Sequence, residues 1–317
     1  MPLANESFYV TYITMKTPSV LAIPRRQFIL QAGIAAGSLG LLPRLIAQEK
    51  ASPLFEISLA QWTIQRELFS GKIDHLDFAK VAADHKIYAV EYVNQFFMDK
   101  AKDVKYLAEM KKRATDHGVR NLIIMCDREG GIGDPDEKKR AQTIENHRKW
   151  LDAAKFLGCH SIRVNARSSG SWERQVELAA DGLSRLTVHG AAMGMNVIVE
   201  NHGGLSSNAD WLAEVMTRVN HPNCGTLPDT GNFRIANGES CDSYRGVKKL
   251  MQWAKGVSIK DKVWDDKGQQ LPMDFERMLK LVTETGFRGH CGIEYGGYAG
   301  LNATRKRLEQ VRDKLGA

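Results

Sequence analysis

The chain has 317 residues, 43% of them hydrophobic and 26% charged, with a formal net charge of +7. That composition supports one large or two medium globular domains and excludes a disordered or fibrous chain. It does not point to nucleic acid: Lys16, Arg25, Arg26 and Arg44 stand against Glu6 in the first 47 residues, leaving roughly +4 for the rest, and no basic stripe interleaved with aromatics follows. Five cysteines (Cys126, Cys159, Cys224, Cys241, Cys291) show no CxxC spacing and an odd count, which argues against a disulfide framework. Cys126, Cys224 and Cys291 lie in apolar runs and are expected to be buried.

Residues 24–30, Pro-Arg-Arg-Gln-Phe-Ile-Leu, lead into a weakly apolar Gly/Ala-rich run. The pair of features resembles a twin-arginine export signal. The run, about 15 residues, is shorter than the ~20 of a membrane span. Residues 1–47 are therefore expected to be a signal cut after Ala47, with 48–317 as the mature domain. The resemblance implies a periplasmic or cell-envelope protein, exported already folded and without further membrane insertion.

From Phe55 onward, short apolar runs alternate with longer amphipathic stretches, the pattern of parallel strands crossed by helices. Strands are expected at 55–61, 87–93, 121–126, 160–166, 195–201, 224–229, 256–260 and 290–295. Helical patterns lie between and after them: Asp74 to His85, Lys102 to His117, Glu137 to Leu157, Trp172 to Met193, Asn208 to Val219, Tyr244 to Ala254, Asp274 to Thr285 and Thr304 to Leu315. Glycines just past helix ends, at Gly118, Gly158, Gly194, Gly256 and Gly286, suit left-handed C-caps. Eight units over about 270 residues match a single-domain α/β chain, the (β/α)8 TIM barrel. A doubly wound sheet is the rival, but the first strand-to-helix turn has no GxGxxG loop.

In such a barrel, chemistry sits at the C-terminal ends of the strands. Polar residues interrupt the apolar runs there at Glu200-Asn201-His202, Asp229-Thr230-Gly231-Asn232, Ser258-Ile259-Lys260 and Glu294-Tyr295. Glu200, Asp229, Ser258 and Glu294 are 29, 29 and 36 residues apart, about one strand-helix unit each, so strands five to eight present them in a ring. Three acids facing one another repel unless a cation lies among them. Hard oxygen ligands suit Mn2+ best, with Mg2+, Co2+ or Zn2+ also compatible; the bland alternative is salt bridging to nearby Lys or Arg. His202 is two residues from Glu200 and is expected to share its side, as a metal ligand or a substrate contact. Lys260 shares the parity of Ser258 and is expected to face inward. Glu91, Asn165, Asn232 and Trp62 are further candidates for substrate contacts, each with a structural reading beside it. His160 and His290 begin their strands and are set aside.

This constellation resembles the xylose isomerase-like barrel superfamily, which includes sugar phosphate isomerases and epimerases, ketose 3-epimerases and endonuclease IV. The likeness runs from about Phe55 to Leu315 and is sharpest from Val197 to Tyr295. It implies Glu200, Asp229 and Glu294 as metal ligands. The family's third ligand, His or Gln, falls on Ser258, a departure. It further implies a sugar or keto-sugar isomerase or epimerase working by proton abstraction next to a carbonyl through an enediolate, with Glu200 and Glu294 as the acid/base pair and Lys260 beside them. A 3-keto-glycoside lyase using the same first step is the alternative, and a non-catalytic sugar-binding protein a second. A repair endonuclease is disfavoured because most of the nine histidines fall on helices or strand starts. The expected partner is a small sugar, not nucleic acid; a homo-oligomer is compatible.

Overall fold

Aliphatic and β-branched residues pack well on a pleated surface covered on both sides, and that is what the apolar runs form. The computed structural model of the chain describes residues 52–235 and 238–317. Residues 1–47, read above as an export signal, lie outside them. Eight parallel barrel strands follow in order: β1 (Glu56–Ala60), β2 (Ala89–Val93), β3 (Arg120–Met125), β4 (Ser161–Val164), β5 (Asn196–Glu200), β6 (Cys224–Leu227), β7 (Val257–Ile259) and β8 (His290–Ile293). Each of β1 to β5 pairs with the next, and β8 pairs with both β1 and β7. The seam between β6 and β7 is closed at its upper end by backbone bonds: Ser258 N donates to Pro228 O at 2.9 Å, and Thr230 N to Ser258 O at 3.0 Å. The architecture is the expected (β/α)8 barrel.

The helices of seven residues or more are α1 (Phe78–Asp84), α2 (Val104–Asp116), α3 (Glu137–Leu157), α4 (Trp172–Ala192), α5 (Ala209–Val219), α6 (Ser243–Leu250), α7 (Phe275–Glu284) and α8 (Gly297–Gly316). Six begin at a side-chain cap, Asp103, Asp136, Ser171, Asn208, Asp242 and Asp274, whose oxygen accepts an otherwise unpaired N–H of the first turn. Gly118, Gly158, Gly194 and Gly286 adopt positive φ after their helices. Gly256 does not; its place is set by packing, since a Cβ there would lie 3.0 Å from Leu227 Cδ1. α8 starts at Gly297, ahead of the expected Thr304, because tertiary packing overrides the poor helix propensity of Gly297 and Gly300. A hairpin that the periodicity did not signal, Lys262–Trp264 with Gln270–Pro272, follows β7.

Period-two alternation divides the wall. Leu59, Val90, Ile162, Val197 and Val199 face the helices in one buried apolar cluster, while Ala60, Ala89, Val93, Ile123, Ile198 and Leu227 form a second cluster inside the barrel. That inner plug supports the polar mouth above it.

One close approach fixes the mouth loop after β3. A Cβ on Gly182 of α4 would lie 1.9 Å from Ile132 O. Gly182→Ala is expected to push α4 off that loop and cost about 1–3 kcal/mol, read from urea midpoints; an unchanged midpoint would show that the helix shifts freely.

Candidate active site

The strand ends bring three acids together. Glu200 ends β5, Asp229 follows β6 and Glu294 follows β8; each offers an oxygen, and these atoms all lie within 4.8 Å of one another. The remaining oxygens are held by the frame. Asp229 Oδ1 accepts the N–H groups of Gly231 (2.7 Å) and Asn232 (2.9 Å). Ser258 Oγ donates to Glu294 Oε2 at 2.6 Å, and Asn232 Nδ2 to Glu200 Oε1 at 2.8 Å. Asn201 grips the Asp229 backbone from both sides, accepting from its N–H and donating to its carbonyl.

Two cations face the trio. Lys260 Nζ is 2.7 Å from Glu294 Oε1 and 3.1 Å from Asp229 Oδ2. Arg163 of β4, only 5% exposed, places Nε 2.9 Å from Glu200 Oε2 and Nη1 2.8 Å from Asp127 Oδ1. Burial pushes Glu200 up to about 8 against the opposing pull of Arg163, and burial raises Asp229 despite Lys260. For Glu294 burial is outweighed by Lys260 and Ser258, which hold it below the ordinary glutamate value. Neighbouring carboxylates with opposite shifts are the usual sign of an acid and a base.

The residues fit a divalent cation. All three donors are hard oxygens, and Asp229 Oδ2 is buried and accepts no hydrogen bond, Lys260 Nζ standing in ion-pair range but outside hydrogen-bonding geometry. Ser258 adds no ligand; its hydroxyl is spent on Glu294.

The other candidates divide. Asn232 joins the trio through Glu200. Asn165 donates to Asp127 at 2.8 Å and lines the adjoining cavity. Trp62 is half-buried at the mouth, its ring 6.2 Å from that of Phe96, and packs on the inner plug. His202 corrects its expectation as a ligand: it is not among the clustered acids and instead lines the cavity as an exposed residue. The reason is that β5 stops at Glu200 and the chain turns through Gly203 at φ +77°, so strand alternation no longer governs position 202. Glu91 also departs from the expected substrate contact. It is wholly buried, accepts from Ser58 Oγ at 2.6 Å, and is pushed by burial up to about 7. Its space exists because residue 292 is glycine; a Cβ there would lie 2.6 Å from Glu91 Oε1.

Arg163 and Asp127 were not singled out from the sequence. The signal was present: a lone arginine within the apolar run Ser161-Ile-Arg-Val can be buried only if paired. Beside this pair opens a cavity of about 890 Å3, lined by the loops after β3, β4 and β5, including Arg128, Arg167 and His202.

The family described as "Xylose isomerase-like TIM barrel" matches residues 79–315. No curated protein sequence matches the chain. Among solved structures, a xylose isomerase domain protein from Planctomyces limnophilus is 21% identical over 84% of this chain and 99% of its own, with a TM-score of 0.66. A D-tagatose 3-epimerase-like protein is 17% identical over 83% and 100%, with a TM-score of 0.65. The 3-keto-D-glucoside 4-epimerase of E. coli is 15% identical over 82% and 99%, with a TM-score of 0.61. Two further matches hold an ion, magnesium in a protein from Mycobacterium smegmatis and zinc in the other. At these identities the likeness shows the fold.

Proposed function

Because the chain belongs to the xylose isomerase-like TIM barrel family, we propose that it is a divalent-metal-dependent isomerase or epimerase of a sugar or keto-sugar. The observation that carries this reading is the convergence of Glu200, Asp229 and Glu294 oxygens within 4.8 Å of one another. Those three residues would hold the ion, manganese first among the candidates and magnesium, cobalt or zinc after it. A bound ion would supply Lewis-acid polarisation of the substrate carbonyl.

The chain's own groups do the rest. Glu294, whose Oε2 accepts the Ser258 hydroxyl, takes the proton from the carbon next to the carbonyl. Glu200, across the ring and oriented by Asn232, carries a proton of its own, as its upward shift favours, and delivers that proton to the neighbouring carbon or the other face; both acids then re-equilibrate with solvent. Lys260 lies within reach of the same space and steadies negative charge on a substrate oxygen. Asn165 and His202 contact substrate hydroxyls from the cavity, and Trp62 offers a ring face.

A second reading, a 3-keto-glycoside lyase, is favoured by the cavity. Its 890 Å3 lies in the upper part of the roughly 300–1,000 Å3 range of small-molecule sites, so a substituent beyond one sugar ring would fit. The two readings share the first proton transfer and part at the next step. Metal quantification, then solvent-deuterium exchange across free ketoses, inososes and 3-keto-glycosides, tests both. Chelator treatment is expected to lower exchange by about 100-fold or more, restored by added Mn2+; a chelator-resistant rate would count against the metal, and a metal-free protein that binds sugar without exchange would mark a non-catalytic binder.

The same reading takes the protein to the periplasm or cell envelope, on the strength of Arg25-Arg26 and the short apolar run behind them. Replacing both arginines with lysine is expected to retain the protein in the cytoplasm, scored by cell fractionation; undiminished export would remove the twin-arginine route.

A further inference from the structure

We infer that the Lys260 ammonium is a resident counter-cation of the carboxylate ring, and that a divalent ion enters by displacing it from Asp229 and Glu294. The inference rests on the metal reading above and adds to it how loading occurs.

Oxygen accounting carries the argument. Asp229 Oδ1 already accepts two backbone N–H groups, and Glu294 Oε2 already accepts the Ser258 hydroxyl. On these two acids the oxygens left to a ligand are Asp229 Oδ2 and Glu294 Oε1, and these are the two that Lys260 Nζ faces at 3.1 and 2.7 Å. An ammonium and a divalent ion therefore compete for the same pair. They cannot share it, because two cations held against the same oxygens in a buried setting repel strongly.

The lysine's seat is built. A Cβ on Gly231 would lie 2.9 Å from both Cβ and Cγ of Lys260, so glycine leaves the groove in which the stem runs. The Lys260 backbone N–H is fixed by Thr230 Oγ1 at 2.8 Å. Yet the side chain keeps 23% of its surface exposed, which leaves it room to swing off the two acids toward the open mouth, within reach of a substrate oxygen. The arrangement sets Lys260 against Asp229 and Glu294, and Arg163 against Glu200, before any ion is loaded. It also weakens the affinity for the ion by the strength of the lysine pairing it must break.

The test uses the full-length chain stripped of metal, with Mn2+ as the probe in a calorimetric titration. Lys260→Met is expected to bind Mn2+ at least about tenfold tighter than wild type. Without metal it should melt several degrees lower, and Mn2+ should restore the difference. Equal or weaker Mn2+ binding by Lys260→Met overturns the exchange. Binding by neither protein overturns both the exchange and the metal reading, whereas binding by Lys260→Met alone supports displacement and identifies the lysine as a tight occupant. If the variant does not fold, wild type suffices: acylation of Lys260, followed by mass spectrometry of the stripped protein, should accelerate severalfold on adding Mn2+. A rate that stays level or falls overturns the proposal.

Discussion

Glu294→Gln is expected to lower kcat by about 10²–10⁴-fold, the usual contribution of a positioned acid/base group, while the protein still folds. Glutamine keeps the shape and an oxygen to accept the Ser258 hydroxyl, but it cannot take a proton from carbon. Lys260 retains Asp229 as a partner, so no buried charge is stranded. Glu200→Gln should be similarly impaired, since the proton that Glu294 removes must be balanced by one that Glu200 delivers. The measurement is solvent-deuterium incorporation into a responsive keto-sugar, with melting temperature as the control on folding. An unimpaired Glu294→Gln enzyme would refute the assignment.

The largest effect on stability is expected at Arg163. Arg163→Met removes the cation shared by Glu200 and Asp127 and leaves a buried carboxylate at Glu200 and a half-buried one at Asp127. Breaking a buried pair from one side costs about 3–5 kcal/mol, whereas an exposed pair such as Lys80–Asp84 is screened by solvent and contributes little. Arg163→Lys should rescue little, because a single ammonium cannot span both acids as the planar guanidinium does. Urea denaturation at neutral pH decides it. A loss below about 1 kcal/mol would mean that Glu200 is protonated in the folded protein, in keeping with its upward shift, and would make Asp127 the arginine's principal partner.

Much of the fold was legible because it rests on local periodicity. The runs around Ile123, Val197 and Cys291 alternate or stay apolar over strand lengths, and Asp136, Ser171 and Asp274 stand where helices begin. The ends were less legible where two influences compete. Gly297 and Gly300 read as loop, yet belong to α8. The site divides in the same way. Glu200, Asp229 and Glu294 could be picked out because a charged residue closing an apolar strand is rare, and one strand-helix unit separates successive positions. His202 could not be placed, because its orientation depends on a turn through positive φ at Gly203. Glu91 looked like a mouth residue, and only the register of β2 against β1 puts it beneath the mouth against Ser58.

The sequence by itself determined the barrel, its order of strands and the ring of three acids, since each follows from residue spacing along a single element or from one unit to the next. Only the tertiary structure decided which cations answer those acids. Arg163 meets Glu200 and Asp127, and Lys260 meets Asp229 and Glu294, across separations of 31 to 37 residues. Such pairings depend on barrel closure and on side-chain rotamers, and an electrostatic partner that is remote along the chain leaves no periodic trace in it.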